Sequence, residues 1–229
     1  MPRARIPDRR RAILAAAREL ALTRSWPRTT VADIAEHAGV GKGAVYLEFP
    51  SREAILDAVL TAAMRELTAA VHRRCRAHEG LLDLPAVYRI GIEELLAEPL
   101  LRAVQLGDED VLGAHVRTVD PARYRTRMDW LGQYIAALQD AGVLREDVDR
   151  EVLGQVLGTY TLGLLSAPAV LGDLDDRRLR ESVALFADLV GRGLETDTEA
   201  DPVAARNAQH AQHALLDQLT AQLETQEHP

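Results

Sequence analysis

The stretch 29–49, Thr-Thr-Val-Ala-Asp-Ile-Ala-Glu-His-Ala-Gly-Val-Gly-Lys-Gly-Ala-Val-Tyr-Leu-Glu-Phe, constrains the fold more than any other part of the chain. Its apolar spacing predicts two short helices set across a glycine turn. Thr29 or Thr30 supplies a hydroxyl for an orphan backbone N–H of the first helix, and Asp33, three residues after Thr30, completes a capping-box pattern. Val31, Ile34 and Ala35 then share one face and leave Asp33, Glu36 and His37 toward water. Gly39 falls where the chain has to reverse within a few residues, a place where positive φ favours glycine, and Val40 plugs the angle between the helices.

The second helix, 42–48, turns Val45 and Phe49 inward at i, i+4 spacing and leaves Lys42, Gly43, Ala44, Tyr46 and Leu47 outside. Two helices arranged in this way can enter the major groove of double-stranded DNA, so the outer face is the candidate reading surface. Lys42 is expected to meet a base edge or a phosphate. Gly43 and Ala44 permit close approach, with the Ala44 methyl available to a thymine methyl, and Leu47 packs on a base or a sugar. Tyr46, Thr29, Thr30 and, from the following helix, Arg52 complete the expected set, Tyr46, Thr30 and Arg52 as phosphate contacts.

These residues, with Pro50-Ser-Arg-Glu-Ala-Ile-Leu56 behind them, resemble the tetracycline-repressor (TetR) family of bacterial regulators. The resemblance rests on Trp26, Thr29, Thr30, Ile34, Ala35, Ala38, Gly39, Val40, Lys42, Gly43, Tyr46, Phe49, Ser51 and Glu53, and is strong over about residues 9–60. The departures are Ser25 where glycine is usual, Gly41 where serine often caps the helix, Glu48 where histidine is common, and Arg52 where lysine is usual. What the resemblance implies is an all-α fold: an N-terminal three-helix DNA-binding domain, then a helical domain for effector binding and dimerisation. It also implies a homodimer, a palindromic operator and an unidentified small-molecule effector.

A net charge of −8 argues against a polyanionic partner unless it is unevenly spread, and it is. Residues 1–50 hold nine Lys/Arg against five Asp/Glu, or +4, and the remainder carries −12. A basic head on an acidic body attracts DNA with one end and repels it with the other. The chain has no run of 18 apolar residues and no signal-peptide core, and its single Cys75 forms no intramolecular disulfide. A cytoplasmic protein with no membrane partner is expected.

Along the chain, 1–8 reads as a flexible basic arm whose Arg3 and Arg5 suit a minor groove. A helix over 9–23 opens the DNA-binding domain, 9–50, and Ser51 caps a long connecting helix, 51–78. The effector-binding and dimerisation domain, 79–196, has helices expected at 84–97, 99–106, 108–119, 121–141, 149–166 and 175–195. Residues 197–229 form a linker and an extra amphipathic helix over 203–225, or a frayed tail.

The helices over 149–166 and 175–195 have apolar faces wide enough for two sets of neighbours. Leu153, Val156, Leu157, Tyr160, Leu164, Val183, Phe186, Leu189 and Val190 are therefore the candidate subunit interface, an isologous four-helix contact. Tyr88, His115, Tyr124, Trp130, Tyr134 and Tyr160 are the candidate effector contacts, since aromatic residues are only 4% of the chain. His72, Cys75 and His78 have ligand chemistry but spread too widely around one helix to converge, so no metal and no cofactor is expected. No nucleophile elbow, phosphate loop or zinc-protease motif is present, and no catalysis is expected. An activator, a regulator answering to a protein partner through 203–225, and an enzyme with an unmarked site are the alternatives.

Overall fold

In the computed structural model, residues 8–106, 108–113, 122–171, 175–196 and 201–225 are described, and among them the chain is all-α. The helices are α1 (Arg9–Arg24), α2 (Val31–His37), α3 (Lys42–Glu48), α4 (Arg52–Ala77), α5 (Leu84–Ala97) and α6 (Pro99–Leu106). They continue with α7 (Glu109–Leu112), α8 (Ala122–Asp140), α9 (Arg150–Leu171), α10 (Asp176–Leu194) and α11 (Pro202–Thr225). A single 3₁₀ turn, Trp26–Arg28, links α1 to α2.

The chain divides into two compact units. The first comprises the described residues of Met1–Met64 and Glu98–Thr118, the second those of Arg65–Ala97 and Val119–Pro229. The helix α4 contributes its first half to one and its second half to the other.

The first unit packs Ile13, Ala17 and Leu20 of α1, Ile34 of α2, Val45 of α3 and Leu56 of α4 into one core, each of them buried. Burial of large aliphatic side chains at roughly 1.5–3 kcal/mol each is what holds such short helices in place, since a seven-residue helix is not stable alone. Leu100, Ala103 and Leu112 join this core. Position along the chain places 98–113 in the second domain; the structure groups it with the first unit. The cause is a tertiary pair: Arg18 of α1 donates to Glu98 at 2.5 Å, and the other oxygen of Glu98 accepts from the Leu101 N–H at 2.7 Å, capping α6.

The helix expected over 108–119 runs only from Glu109 to Leu112. Gly113 ends it at φ +62°, and a Cβ there would meet Pro27 Cγ at 2.8 Å. Only glycine accepts that backbone conformation and that approach together.

The second unit has its core in Leu84, Leu131, Tyr134, Ile135, Leu138, Leu144, Leu153, Leu157 and Val190. The extra C-terminal helix is docked: Leu216 of α11 packs with Cys75 and Leu82, and Gln209 donates to the Gly80 carbonyl at 2.9 Å. Among the described residues no helix is long and apolar enough to cross a membrane.

Candidate nucleic-acid interface

Thr30 caps α2 as the residue pattern requires. Its hydroxyl accepts from the Asp33 N–H at 3.2 Å, and the Asp33 carboxylate accepts from the Thr30 N–H at 2.8 Å and from the hydroxyl at 2.5 Å. These bonds hold the Asp33 carboxyl below its ordinary pKa, the Thr30 hydroxyl being the largest cause. Gly39 takes φ +67° in the turn, and Val40 donates back to the Ala35 carbonyl at 2.9 Å. The helix α3 starts at Gly41 with no side-chain cap.

Val45 and Phe49 seal the inner side of α3. On its outer side Lys42 and Gly43 are exposed, Tyr46 is 49% exposed and Leu47 is 78% exposed. Nothing lies within 4 Å of where a Cβ on Gly43 would stand. Ala44 is half-buried on the flank of this face.

Two residues of the expected set differ from their assignment. Thr29 is fully buried and its hydroxyl donates to the Ser25 carbonyl at 2.8 Å, so its side chain is spent on the preceding turn. Arg52 donates to the Trp26 and Thr29 carbonyls at 3.3 and 3.1 Å and lies over the Trp26 ring at 5.2 Å. It staples the start of α4 to the turn before α2. Arg3 and Arg5 lie outside the described residues.

Sequence reasoning missed one feature of this face. Arg9, at the start of α1, grips the Glu48 carboxylate through both Nε and a terminal nitrogen, and Arg10 donates to the Glu48 carbonyl at 3.3 Å. The Arg10 guanidinium also sits 4.4 Å from the Phe49 ring centre. The Arg-Arg-Arg run was legible, but its partner 39 residues away was not.

In the second unit, Tyr134 is a core residue rather than an open contact: it is fully buried, donates to the Leu82 carbonyl at 2.6 Å and accepts from Gln212 at 2.7 Å. Burial pushes its hydroxyl pKa up. Tyr88 and Tyr160 do come together, with Phe186 stacked on Tyr160 at 3.4 Å and Tyr88 edge-on to both. His115 and the side chains of Tyr124 and Trp130 lie outside the described residues.

The expected interface set divides in two. Leu153, Leu157, Val183 and Val190 are buried in the protomer's own unit, which corrects their placement on a free face. Tyr160, Leu164 and Phe186 are half-buried, while Val156 and Leu189 are more than half exposed. Val152 and Leu185, one turn before them, are equally open, so α9 and α10 each carry a bare aliphatic stripe.

His72 meets Asp217 and Arg76, Cys75 is buried with its thiol pushed up to about 11 by burial, and His78 faces the Gly80 carbonyl. Among the described residues no three His, Cys, Asp or Glu side chains are placed to hold a metal ion.

A capped α2, a glycine turn and an α3 sealed behind and open in front define a helix-turn-helix DNA-binding domain. Residues 13–59 match the family model of bacterial regulatory proteins, tetR family. The HTH-type transcriptional regulator AlkX of Mycobacterium tuberculosis is 28% identical over 161 residues, covering 69% of this chain and 75% of that protein. The solved structure of the fatty acid degradation regulator FadR from Bacillus halodurans shares the fold with a TM-score of 0.56 at 17% identity, over 83% of this chain and 98% of that one. The family match covers the DNA-binding domain of tetR-family regulators and leaves the rest of the chain outside it.

Proposed function

We propose that the chain is a homodimeric repressor that reads a palindromic operator with α3 and is released by a small-molecule effector. The observation that carries the reading is the outer face of α3, where Lys42, Gly43, Tyr46 and Leu47 are exposed together. Lys42 offers a charge to phosphate or a base edge, Gly43 lets the backbone approach, and Leu47 packs on a base or a sugar. Tyr46 holds a phosphate. Thr30 joins it only by giving up the hydrogen bond its hydroxyl makes to Asp33. Arg3 and Arg5 of the arm, 1–8, reach an adjoining minor groove.

The bare stripes of α9 and α10, Val152, Val156, Leu185 and Leu189, support dimerisation. Set against the same stripes of a second copy, they make a self-complementary four-helix contact, and two-fold symmetry gives the operator its palindrome. The cluster of Tyr88, Tyr160 and Phe186 supports an aromatic or apolar effector in the second unit. Such a ligand changes DNA affinity only as far as it favours one protein state over another. The continuous helix α4 is the link through which that preference reaches the head.

The docking of α11 within its own unit leaves a protein partner acting through 203–225 without support. The test is selection of random duplexes by the purified protein, followed by sequencing. An inverted repeat is expected. Recovery of asymmetric sites, or of no enriched sequence, overturns the reading.

A further inference from the structure

The helix proposed to read DNA ends on an acid. Glu48 directly follows the exposed Tyr46 and Leu47, and an unpaired carboxylate there would face a polyanion. It is not unpaired. Arg9 holds it with two guanidinium nitrogens on one oxygen, and the pair is only partly open to solvent, with side-chain exposures of 39% for Arg9 and 22% for Glu48. Arg10 meanwhile occupies the Glu48 carbonyl at the C-terminal end of α3, where the helix is already partially negative.

We infer that Arg9 serves DNA binding by masking Glu48: it cancels a carboxylate on the reading helix that would otherwise oppose the phosphate backbone. The inference rests on the DNA-reading role proposed for α3. It makes Arg9 a residue whose value to affinity depends on Glu48, unlike an arginine that touches a phosphate itself. Like charges brought within a Debye length, about 10 Å at 0.1 M salt, repel measurably, and the repulsion fades as salt rises.

The experiment is a double-variant cycle on the full-length protein, read as affinity for a selected operator at two salt concentrations. Circular dichroism and thermal midpoint are recorded for every variant. Arg9→Ala is expected to weaken binding about 10- to 100-fold, a coupling of the size found for close charged pairs. Glu48→Gln should bind as tightly as the parent or tighter. Arg9→Ala with Glu48→Gln, which lacks both charges, should recover to within about fivefold of the parent, and the Arg9→Ala defect should shrink as salt rises. Arg9→Lys, which keeps the charge but loses the two-nitrogen grip, should fall between the parent and Arg9→Ala, and it decides the matter if Arg9→Ala lowers the thermal midpoint.

A double variant as weak as Arg9→Ala alone overturns the inference, as does a loss in Arg9→Lys as large as in Arg9→Ala. If the parent protein selects no duplex, it is the DNA-reading role that fails. If the parent binds and Glu48→Gln does not restore Arg9→Ala, only the masking role fails.

Discussion

The side-chain amide of Gln212 donates to the hydroxyl of Tyr134 at 2.7 Å, and that hydroxyl in turn donates to the Leu82 carbonyl at 2.6 Å. Both side chains are fully buried, so this short chain of bonds makes the C-terminal helix α11 part of the second unit's core.

The two partners are unequal. Tyr134→Phe strands the Leu82 carbonyl and the Gln212 amide, a loss of about 1–3 kcal/mol for each buried group left unpaired. Gln212→Leu removes one donor to Tyr134 but also removes an amide oxygen that is buried without a partner. It should therefore cost under about 1 kcal/mol, a midpoint shift of at most roughly 2–4 °C. Calorimetry checks the order: Tyr134→Phe must melt lower than Gln212→Leu, and the reverse order refutes the assignment.

Gly113 is fixed by backbone and by neighbour. Its φ of +62° strains any L side chain, and a methyl would press Pro27 at 2.8 Å. Gly113→Ala is expected to destabilise the first unit by about 1–3 kcal/mol. Denaturant titration measures this directly, and an unchanged midpoint contradicts it.

His72 gives the second unit a pH dependence. Burial is the main cause holding its pKa below the ordinary 6.5, and Arg76, Arg73 and His213 reinforce it against the opposing pull of Asp217. The neutral ring accepts from Arg76 Nε at 2.8 Å, with an Asp217 oxygen 3.1 Å from the same nitrogen. Because the unfolded chain takes the proton first, stability is fully present above about pH 6.5 and declines below it, down to the lowered folded value. Melting the protein between about pH 7.5 and 5.5 tests this. His72→Gln should flatten the decline, and an identical slope in the variant rules it out.

The sequence was most readable where structure is local. The Thr30–Asp33 cap, the Gly39 turn and the inward pair Val45 and Phe49 all follow from spacings of a few residues. The inward turn of Thr29 is not legible in that way, because it depends on the Trp26–Arg28 turn before it. Residues 98–113 were assigned to the wrong core because the partner of Glu98 is Arg18, 80 residues away. On α9 and α10, apolar residues on two sides gave periodicity no means of telling the core stripe of Leu153, Leu157, Val183 and Val190 from the open stripe of Val156 and Leu189.

In the proposed complex α3 lies in the major groove of each half of a symmetric site. Leu47 is open enough to carry a probe, and Cys75, buried with a thiol pKa near 11, should not compete for a thiol-directed reagent at neutral pH. The measurement is affinity cleavage by a Leu47→Cys variant bearing an iron chelate, at saturating protein on a selected operator. Two clusters of cuts in the major groove, related by the two-fold axis of the repeat, are the predicted result. A single cluster, or cuts scattered evenly along the duplex, would rule that placement out.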